Sequence, residues 1–367
     1  MRVTIVRTMP GFSMDVYADG LIAGLKAVRP DWEIVEISPY PLDRSSSSWW
    51  VRLWKYYERF WHFPQIASQQ TADIFHIIDH SEGHIVHWLK KTGKPVVVTC
   101  HDLINFFNLE NVRSSLHLPF ISHATWKYSV NGMQDADRII AVSTKTAKDS
   151  TQLLSIEPRR ITVVPNAVES GFYPLPQDEI TDFRQQYGTS TAICLLNVGL
   201  SHPRKNLMTV LKVLEFLQQQ GLAVKLWKVG SDFTAEQKSF IKTRGLEANI
   251  TYFGKLNKQT LVKVYNAADM LLAPSLHEGF GMTLLEAMAC GTPVITANVS
   301  AMPEVVGDAA VLVEPMDFQA IASTVCRLQN DSAYRQQLVA LGLKRAKSFT
   351  WENTARQIAD VYERAIA

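Results

Sequence analysis

The stretch "MLLAPSLHEGFGMTLLEAMACGTPVITA", Met270 to Ala297, decides the fold class. An apolar run of strand length, MLLAP, leads into the loop SLHEGFG. The loop opens a run of good helix formers, MTLLEAMAC. Gly291, Thr292 and Pro293 break that run, and a second apolar strand, PVITA, follows. A strand, a crossover helix and a second strand make a parallel pair.

The same alternation runs along the whole chain. The first half carries the strand candidates VTIV, EIVEI, IFHII, PVVVTC, RIIAVS and ITVVP. Helical stretches such as DVYADGLIAGLKAV and TKTAKDSTQLL lie between them. The second half carries ICLLNVG, AVKLWKVG, ITYFG, MLLAP, PVITA and AVLVE. Such alternation predicts parallel sheets covered by helices on both faces. Between the halves, "PNAVESGFYPLPQDE" from Pro165 to Glu179 is rich in proline and polar residues and reads as a linker. The fold class expected is α/β, two Rossmann-like domains with parallel sheets facing across a cleft. The boundaries expected are residues 1–168 for the first domain, 169–190 for the linker and first helix, and 191–350 for the second domain. A last helix, 351–367, would be capped by Thr350.

Composition bounds the function. The 367 residues are 47% hydrophobic and 20% charged, enough for two sizeable cores. A net charge of +2 gives no global argument for nucleic acid. Cys100, Cys194, Cys290 and Cys326 form no CxxC pair and read as packed, reduced thiols of a cytosolic protein. The N-terminal "MRVTIVRTMPGF" reads as a first strand, its apolar core being too short for a signal peptide. No apolar stretch approaches the length of a membrane span.

Ligands of open parallel sheets sit at the carboxyl ends of strands, and chemistry-bearing residues follow several strands here. Glu278 and Glu286 stand with seven residues between them, on either side of a Gly279-Phe280-Gly281 turn. Free backbone N–H groups near Phe280 to Thr283, at the start of a helix, form an anion site, and glycines let a ligand approach. Glu286, one turn into the helix, suits vicinal hydroxyls. Glu278 suits the other end of the same ligand. A sugar nucleotide has hydroxyls at both ends and a diphosphate between. The bland alternative is two exposed or helix-capping carboxylates. Arg204 and Lys205 follow another strand in "NVGLSHPRKN", where two cations suit a diphosphate. His101 and Asp102 follow a third in "VVVTCHDL".

Together these stretches resemble the GT-B glycosyltransferases of glycosyltransferase family 4, a retaining family. The similarity is strongest from Asn197 to Pro315, and "ADRIIAVS" and "VPNAV" carry it into the first half. The resemblance implies a retaining transferase that moves a hexose from a nucleoside-diphosphate sugar to a hydroxyl of a sugar, lipid or other small acceptor, with no metal and no cofactor besides the donor. Glu286 would bind the ribose. Glu278 would bind donor-sugar hydroxyls, with the backbone of Gly279, Phe280, Gly281, Met282 and Thr283. Arg204 and Lys205 would hold the diphosphate and stabilise its departure, and His101 would lie near the reacting carbon. Gly199 and Gly230, at strand ends, and Lys255 and Leu256 in "FGKL" would complete the donor site. The tail helix would pack back on the first domain. One departure from the family is the loop "TMPGFSMD". It has a single glycine, Gly11, where many members have two, and backbone contact from Gly11 and Phe12 is the expectation there.

Two stretches stand apart. "WWVRLWKYYERFWHF", Trp49 to Phe63, puts Trp50, Trp54, Tyr57 and Trp61 on one helical face and Arg52, Lys55 and Arg59 on another. It reads either as a lid or core helix, or as a surface for a membrane or lipid acceptor. The latter would make a cytoplasmic protein peripheral at the inner membrane face. His76, His80, His84 and His87 cluster in "HIIDHSEGHIVHW", the last three at helical spacing. They read as an acceptor-side border, with a metal site as the alternative. Two rival functions remain: an epimerase of nucleotide sugars on the same fold, and a binding protein without turnover. A dehydrogenase is disfavoured, because no complete GxGxxG follows the first strand.

Overall fold

The computed structural model describes residues 1–8, 13–41, 48–106 and 120–367. They divide into two compact units. One ends at Ala167 and regains Thr350–Ala367. The other is Val168–Phe349.

The first unit runs β1 (Arg2–Val6), α1 (Ser13–Val28), β2 (Glu33–Ile37), α2 (Trp49–Tyr57), α3 (Phe63–Ser68), β3 (Ile74–Ile77), α4 (Val86–Leu89), β4 (Val96–Cys100), α5 (Phe120–Asn131), β5 (Arg138–Ala141), α6 (Thr144–Leu154) and β6 (Ile161–Val163). The second runs α7 (Gln177–Gln186), β7 (Ile193–Gly199), α8 (Leu207–Gln219), β8 (Val224–Gly230), α9 (Ala235–Thr243), β9 (Ile250–Gly254), α10 (Lys258–Ala267), β10 (Met270–Ala273), α11 (Met282–Ala289), β11 (Val294–Ala297), α12 (Met302–Val306), β12 (Val311–Val313), α13 (Phe318–Asn330) and α14 (Ser332–Ala346). The last helix, α15 (Trp351–Ile366), belongs to the first unit. Each strand expected from the sequence is present. The last residues of the expected linker are helical, since α7 begins at Gln177.

Both sheets are wholly parallel, with six strands each, but their orders differ. The first is β2-β1-β3-β4-β5-β6. The second is β12-β11-β10-β7-β8-β9, which is the dinucleotide-binding order counted from β7. The order reverses between β1 and β3 in one sheet and between β7 and β10 in the other. A crevice forms at each reversal, because adjacent strands send their connections to opposite faces.

Local chemistry explains the element ends. Ser143 caps α6 by accepting the Thr146 N–H, and Ser155 ends that helix in the left-handed region. Thr234 and Gln237 form a reciprocal capping box on α9. Thr350 caps α15 through the Asn353 N–H. Strands β3 and β4 are buried along their whole length, as expected for strands covered on both faces. Helix α15 packs on α1 because α1 carries Gly20 and Gly24 there. A Cβ on Gly20 would lie 2.1 Å from the Trp351 ring. In the second unit, Val210, Leu211 and Leu214 of α8 pack with Leu195 of β7 and Val325 of α13.

Two sequence expectations are corrected. His80–Ile85 is a tight 3-10 turn in which Glu82 leaves helical geometry (φ −103°, ψ 15°), so His80, His84 and His87 do not share a helix face. The helix at 49–63 is broken by a π-helical segment, Glu58–His62, which turns Arg59 toward Glu82. The Arg52 side chain lies outside the described residues.

Candidate functional site

In the second unit the crevice residues come from the loops after β7 and β10, the two strands at the reversal. Beyond Gly199, Pro203–Lys205 forms a short 3-10 turn. Asn206 then takes a left-handed conformation (φ 54°). Its amide donates to the Pro274 and Pro315 carbonyls at 3.0 and 2.6 Å, and its oxygen accepts from Thr209 at 2.8 Å. The Leu276 N–H donates to the Arg204 carbonyl at 2.7 Å. These bonds tie the two loops together and bring Arg204 and Lys205 to Glu278.

The Glu278 carboxylate is the centre of that junction. It accepts from Arg204 at 3.1 Å, from Lys205 at 2.5 Å and from the Ser275 hydroxyl at 2.7 Å. Glu278 is only 8% exposed. Burial pushes its carboxyl up, but Lys205, Arg204 and the hydrogen bonds outweigh burial and leave it below the usual range. Buried ion clusters add little net stability, because desolvation offsets attraction. Two cations on one carboxylate leave an excess positive charge.

The rest of the loop is shaped around this group. Gly281 sits at φ 109°, outside the range open to side-chain-bearing residues, and begins α11. Met282 and Thr283 form the first turn of α11, where N–H groups have no partner within the helix. The Phe280 ring is buried and packs edge-on against Phe349 at 6.0 Å. Its backbone, not its ring, is therefore what the loop offers. Glu286, one turn into α11, is half-buried and accepts from the Tyr265 hydroxyl at 2.6 Å. Burial raises its carboxyl and Glu169 adds to that, while Tyr265 and Lys205 pull it down; the net shift is upward.

Gly199 and Gly230 pair across β7 and β8, and a Cβ on Gly230 would lie 2.2 Å from the Gly199 carbonyl oxygen. Gly254 (φ 67°) turns the chain into Lys255, which is exposed, and Leu256, which is half-buried. Phe253 packs on Trp227 and Tyr187, with centroids 5.7 and 4.9 Å away.

Three residues of this site escape sequence reading. Asn206 and Ser300 both hold left-handed backbone (φ 54° and 61°), and their partners are distant in sequence. Lys228 sits inside β8, fully buried, donating to the carbonyls of Gly199 at 2.6 Å and Val229 at 2.8 Å. Burial and then the nearby Lys205 lower its ammonium to about 8, against a small opposing pull from Asp232. Its position on the same strand face as Leu226 is the signal that would have marked it as buried.

In the first unit a cavity of about 670 Å3 is lined by Thr8, Asp79, His80, His101, Asp102 and Trp126, among others. It lies at that sheet's reversal, after β1, β3 and β4. His101 donates from Nε2 to the Ile78 carbonyl at 2.9 Å. Burial lowers the ring below its ordinary value, although Asp79 opposes this, so the imidazole is neutral and Nδ1 is left as an acceptor. Behind it lies a buried chain of hydrogen bonds. His76 joins Tyr362 of α15 at 2.5 Å to Thr99 at 2.7 Å, Thr99 meets Tyr17 at 3.1 Å, and the Tyr17 ring abuts His101 at 4.7 Å. The expected contacts of Gly11 and Phe12 lie outside the described residues.

The histidines do not converge. His76 is occupied as above, His84 donates to the Arg59 carbonyl, and His87 faces Asp135. Among the described residues no group of three or more His, Cys, Asp or Glu is placed to hold a metal ion.

Residues 179–345 match the family described as Glycosyl transferases group 1, and residues 11–171 match Glycosyltransferase Family 4. The chain belongs to these glycosyltransferases. It is 31% identical over 236 residues to O-antigen chain mannosyltransferase B of Escherichia coli, covering 63% of this chain and 61% of that protein. The chain thus spans about three-fifths of the length of that relative. Its fold matches sucrose-phosphate synthase from Thermosynechococcus elongatus with a TM-score of 0.79 at 21% identity, over 99% of this chain and 98% of the other. It also matches Anabaena HepE in complex with UDP-glucose, with a TM-score of 0.77 at 17% identity, over 99% and 100% of the chains. These likenesses establish the GT-B fold of two parallel-sheet units.

Proposed function

We propose that this glycosyltransferase-family chain transfers a hexose from a nucleoside-diphosphate sugar to a hydroxyl of a carbohydrate or lipid-linked acceptor, with retention of anomeric configuration and without a metal ion. The observation that carries the reading is Glu278 held between Arg204 and Lys205 at the sheet reversal. Among the described residues no second carboxylate pairs with Arg204 or Lys205, and the anionic oxygens of a diphosphate suit the positive charge left over there. Glu286, on the helix opened by the glycine turn, accepts the ribose hydroxyls. The relative named as a mannosyltransferase makes mannose the first hexose to test. The HepE complex with UDP-glucose supports a sugar nucleotide as donor.

Catalysis on this reading is electrostatic. Arg204 and Lys205 take the charge that develops on the leaving diphosphate, and Lys228 adds a buried cation behind them. The sugar–oxygen bond breaks toward an oxocarbenium-like state. The acceptor oxygen then bonds the anomeric carbon on the face that the diphosphate leaves, and its proton passes to the departing phosphate oxygen. Glu278 keeps the donor hydroxyls in register and is not the nucleophile. In the first unit, His101 holds the Ile78 carbonyl through Nε2 and offers Nδ1 as an acceptor for a sugar hydroxyl. The four unpaired cysteines suit a reducing compartment, and we place the reaction in the cytoplasm.

The test is a panel of UDP-, GDP- and ADP-sugars, following release of nucleoside diphosphate in chelator-treated buffer, with Glu286→Ala alongside. Release from one donor, lost in the variant, names the donor. Turnover that appears only with added divalent metal removes the metal-free mechanism. Conversion of the donor to an epimer without acceptor replaces the transferase reading. An inverted anomeric centre in the product, read by NMR, removes retention.

A further inference from the structure

The aromatic segment at residues 49–68 has no part in the proposed reaction, and its surface is unlike the rest of the chain. Trp49, Trp50, Trp54 and Trp61 are 50–64% exposed and are the exposed tryptophans among the described residues. Leu53, Tyr56, Tyr57 and Ile66 are exposed beside them. Trp49 and Trp50 stack on each other at 3.7 Å, which shields little of either ring from water. Burying a large apolar side chain is worth roughly 2 kcal/mol, so a row of such rings left in water marks a surface with a partner. Phe63 and Ala67 do join the first unit's core, but these exposed rings do not.

Charge identifies the partner. The π-helical segment Glu58–His62 changes the register of the helix. Glu58 is carried inward, 1% exposed, where it accepts from the Tyr40 N–H at 2.9 Å and pairs with His62 at 2.6 Å. Glu58 is the single acidic residue between positions 49 and 68, so this stretch shows solvent no carboxylate. Trp61 emerges next to Trp88, at 6.0 Å, and the exposed Lys91 lies over the Trp88 ring at 4.9 Å. Exposed Lys127 and Tyr128 adjoin, with Tyr128 close to Phe60. The acids at the far edge, Asp135 and Asp137, are paired with His87 and Lys90. The rings project from successive turns of a helix, a convex arrangement that suits a flat, yielding surface. Tryptophan and tyrosine with basic neighbours favour the headgroup region of a bilayer.

We propose that this surface docks the protein on the anionic headgroup face of a lipid bilayer. The tryptophans of the 49–61 segment enter at headgroup depth, and Lys91 and Lys127 meet lipid phosphates. No helix of the described residues is long and apolar enough to cross a membrane, so the contact is from the side. The inference goes beyond the proposed reaction and does not rest on it. A peripheral contact would hold the enzyme near acceptors carried on lipid.

The test uses the full chain with vesicles of phosphatidylcholine alone and of phosphatidylcholine mixed with phosphatidylglycerol, read by co-sedimentation and by tryptophan emission. The wild type is expected to bind the mixed vesicles with a blue shift, and to bind neutral vesicles at least 10-fold more weakly. Trp50→Ser with Trp54→Ser should lose both binding and blue shift. Lys91→Gln with Lys127→Gln should weaken binding to mixed vesicles by about 30-fold and leave neutral binding unchanged. Melting temperature and nucleotide binding should match the wild type in both variants, which separates docking from folding and from the reaction. Equal binding to both vesicle types, or none, overturns the proposal. A shift produced by soluble polysaccharide but by neither vesicle would also overturn it and make the surface a glycan platform.

Discussion

Ser300 holds Glu278 by both of its backbone polar groups. Its Oγ accepts from the Glu278 N–H at 3.1 Å and donates to the Glu278 carbonyl at 2.7 Å. Ser300 does this from left-handed backbone (φ 61°), a conformation that costs a residue with a Cβ about 1 kcal/mol. Ser300→Ala should remove both bonds and keep the strain. Expect a loss of about 2 kcal/mol of stability by denaturant melts, and donor turnover down by roughly 10-fold. Ser300→Gly relieves the strain but not the lost bonds. It should be more stable than the alanine variant and equally slow. An alanine variant with normal turnover would show that the bracket does not position Glu278.

Glu278 should divide binding from turnover. Glu278→Gln leaves the shape and removes the charge that neutralises Arg204 and Lys205. Nucleoside diphosphate should bind the variant at least as tightly, measured by calorimetry, while donor turnover falls by roughly 100-fold. Arg204→Ala should do the reverse at the binding step, weakening the nucleoside diphosphate by about 10-fold or more. Loss of nucleotide affinity in Glu278→Gln would contradict the assignment of the cations to the diphosphate.

Tyr265 tunes Glu286. Its hydroxyl donates at 2.6 Å to a carboxyl that burial already raises. Tyr265→Phe removes a hydrogen bond to the charged form, so the Glu286 carboxyl should rise further. The acid limb of nucleotide binding should then move to higher pH than in the wild type. A limb that stays in place would show that Glu286 is not the group behind it.

Lys228 predicts an alkaline limb. Its ammonium, lowered to about 8 by burial and by Lys205, loses its proton as pH rises through that value. The buried positive charge behind the diphosphate loops goes with it. Diphosphate affinity should fall across this range in the wild type and stay level in Lys228→Arg, whose guanidinium does not titrate there. Lys228→Met should bind nucleotide weakly at every pH.

His76 predicts acid sensitivity of the first unit. Burial, then the neighbouring His101, lower its pKa to about 3. Between about 6.5 and 3 the unfolded chain takes up a proton that the folded chain refuses. Stability therefore falls as pH falls through that window, by up to about 1.4 kcal/mol per pH unit. His84, lowered to about 4 by burial, adds to the slope above its own value. His76→Gln can still bridge Thr99 and Tyr362 without titrating. Its stability, from denaturant melts between pH 6 and 4, should fall less steeply than the wild type's.

Much of the fold is written in local pattern. The strands are apolar runs bounded by glycine, proline and caps, and each occupies its expected place. The short segments fared worse. The histidine run has helical spacing but folds as a tight turn followed by a short helix, because Asp79 caps it early through the Ser81 N–H. Residues 58–62 have an ordinary helical pattern, yet a bond to Glu58 from the distant Tyr40 N–H, beside the local pair with His62, accompanies a π-helical turn. The Asp79 cap is a local signal that the histidine spacing masked, whereas the Tyr40 bond to Glu58 leaves no mark in the pattern of residues 58–62.

The sequence by itself determined that this is an α/β chain of parallel sheets, and it singled out Arg204, Lys205, Glu278 and Glu286 by their positions after strands. It could do so because period, breaker residues and strand-end placement are local properties. Strand order, and therefore where the crevices fall, came only with the tertiary structure. Glu278 meets Lys205 across 73 residues, and β10 lying beside β7 is what closes that distance. The burial of Lys228, the bracket from Ser300, and the exposure of the tryptophans that a core would have taken up were decided at the same level. Each depends on what surrounds a side chain in space, and neighbours far apart in sequence leave no mark in local pattern.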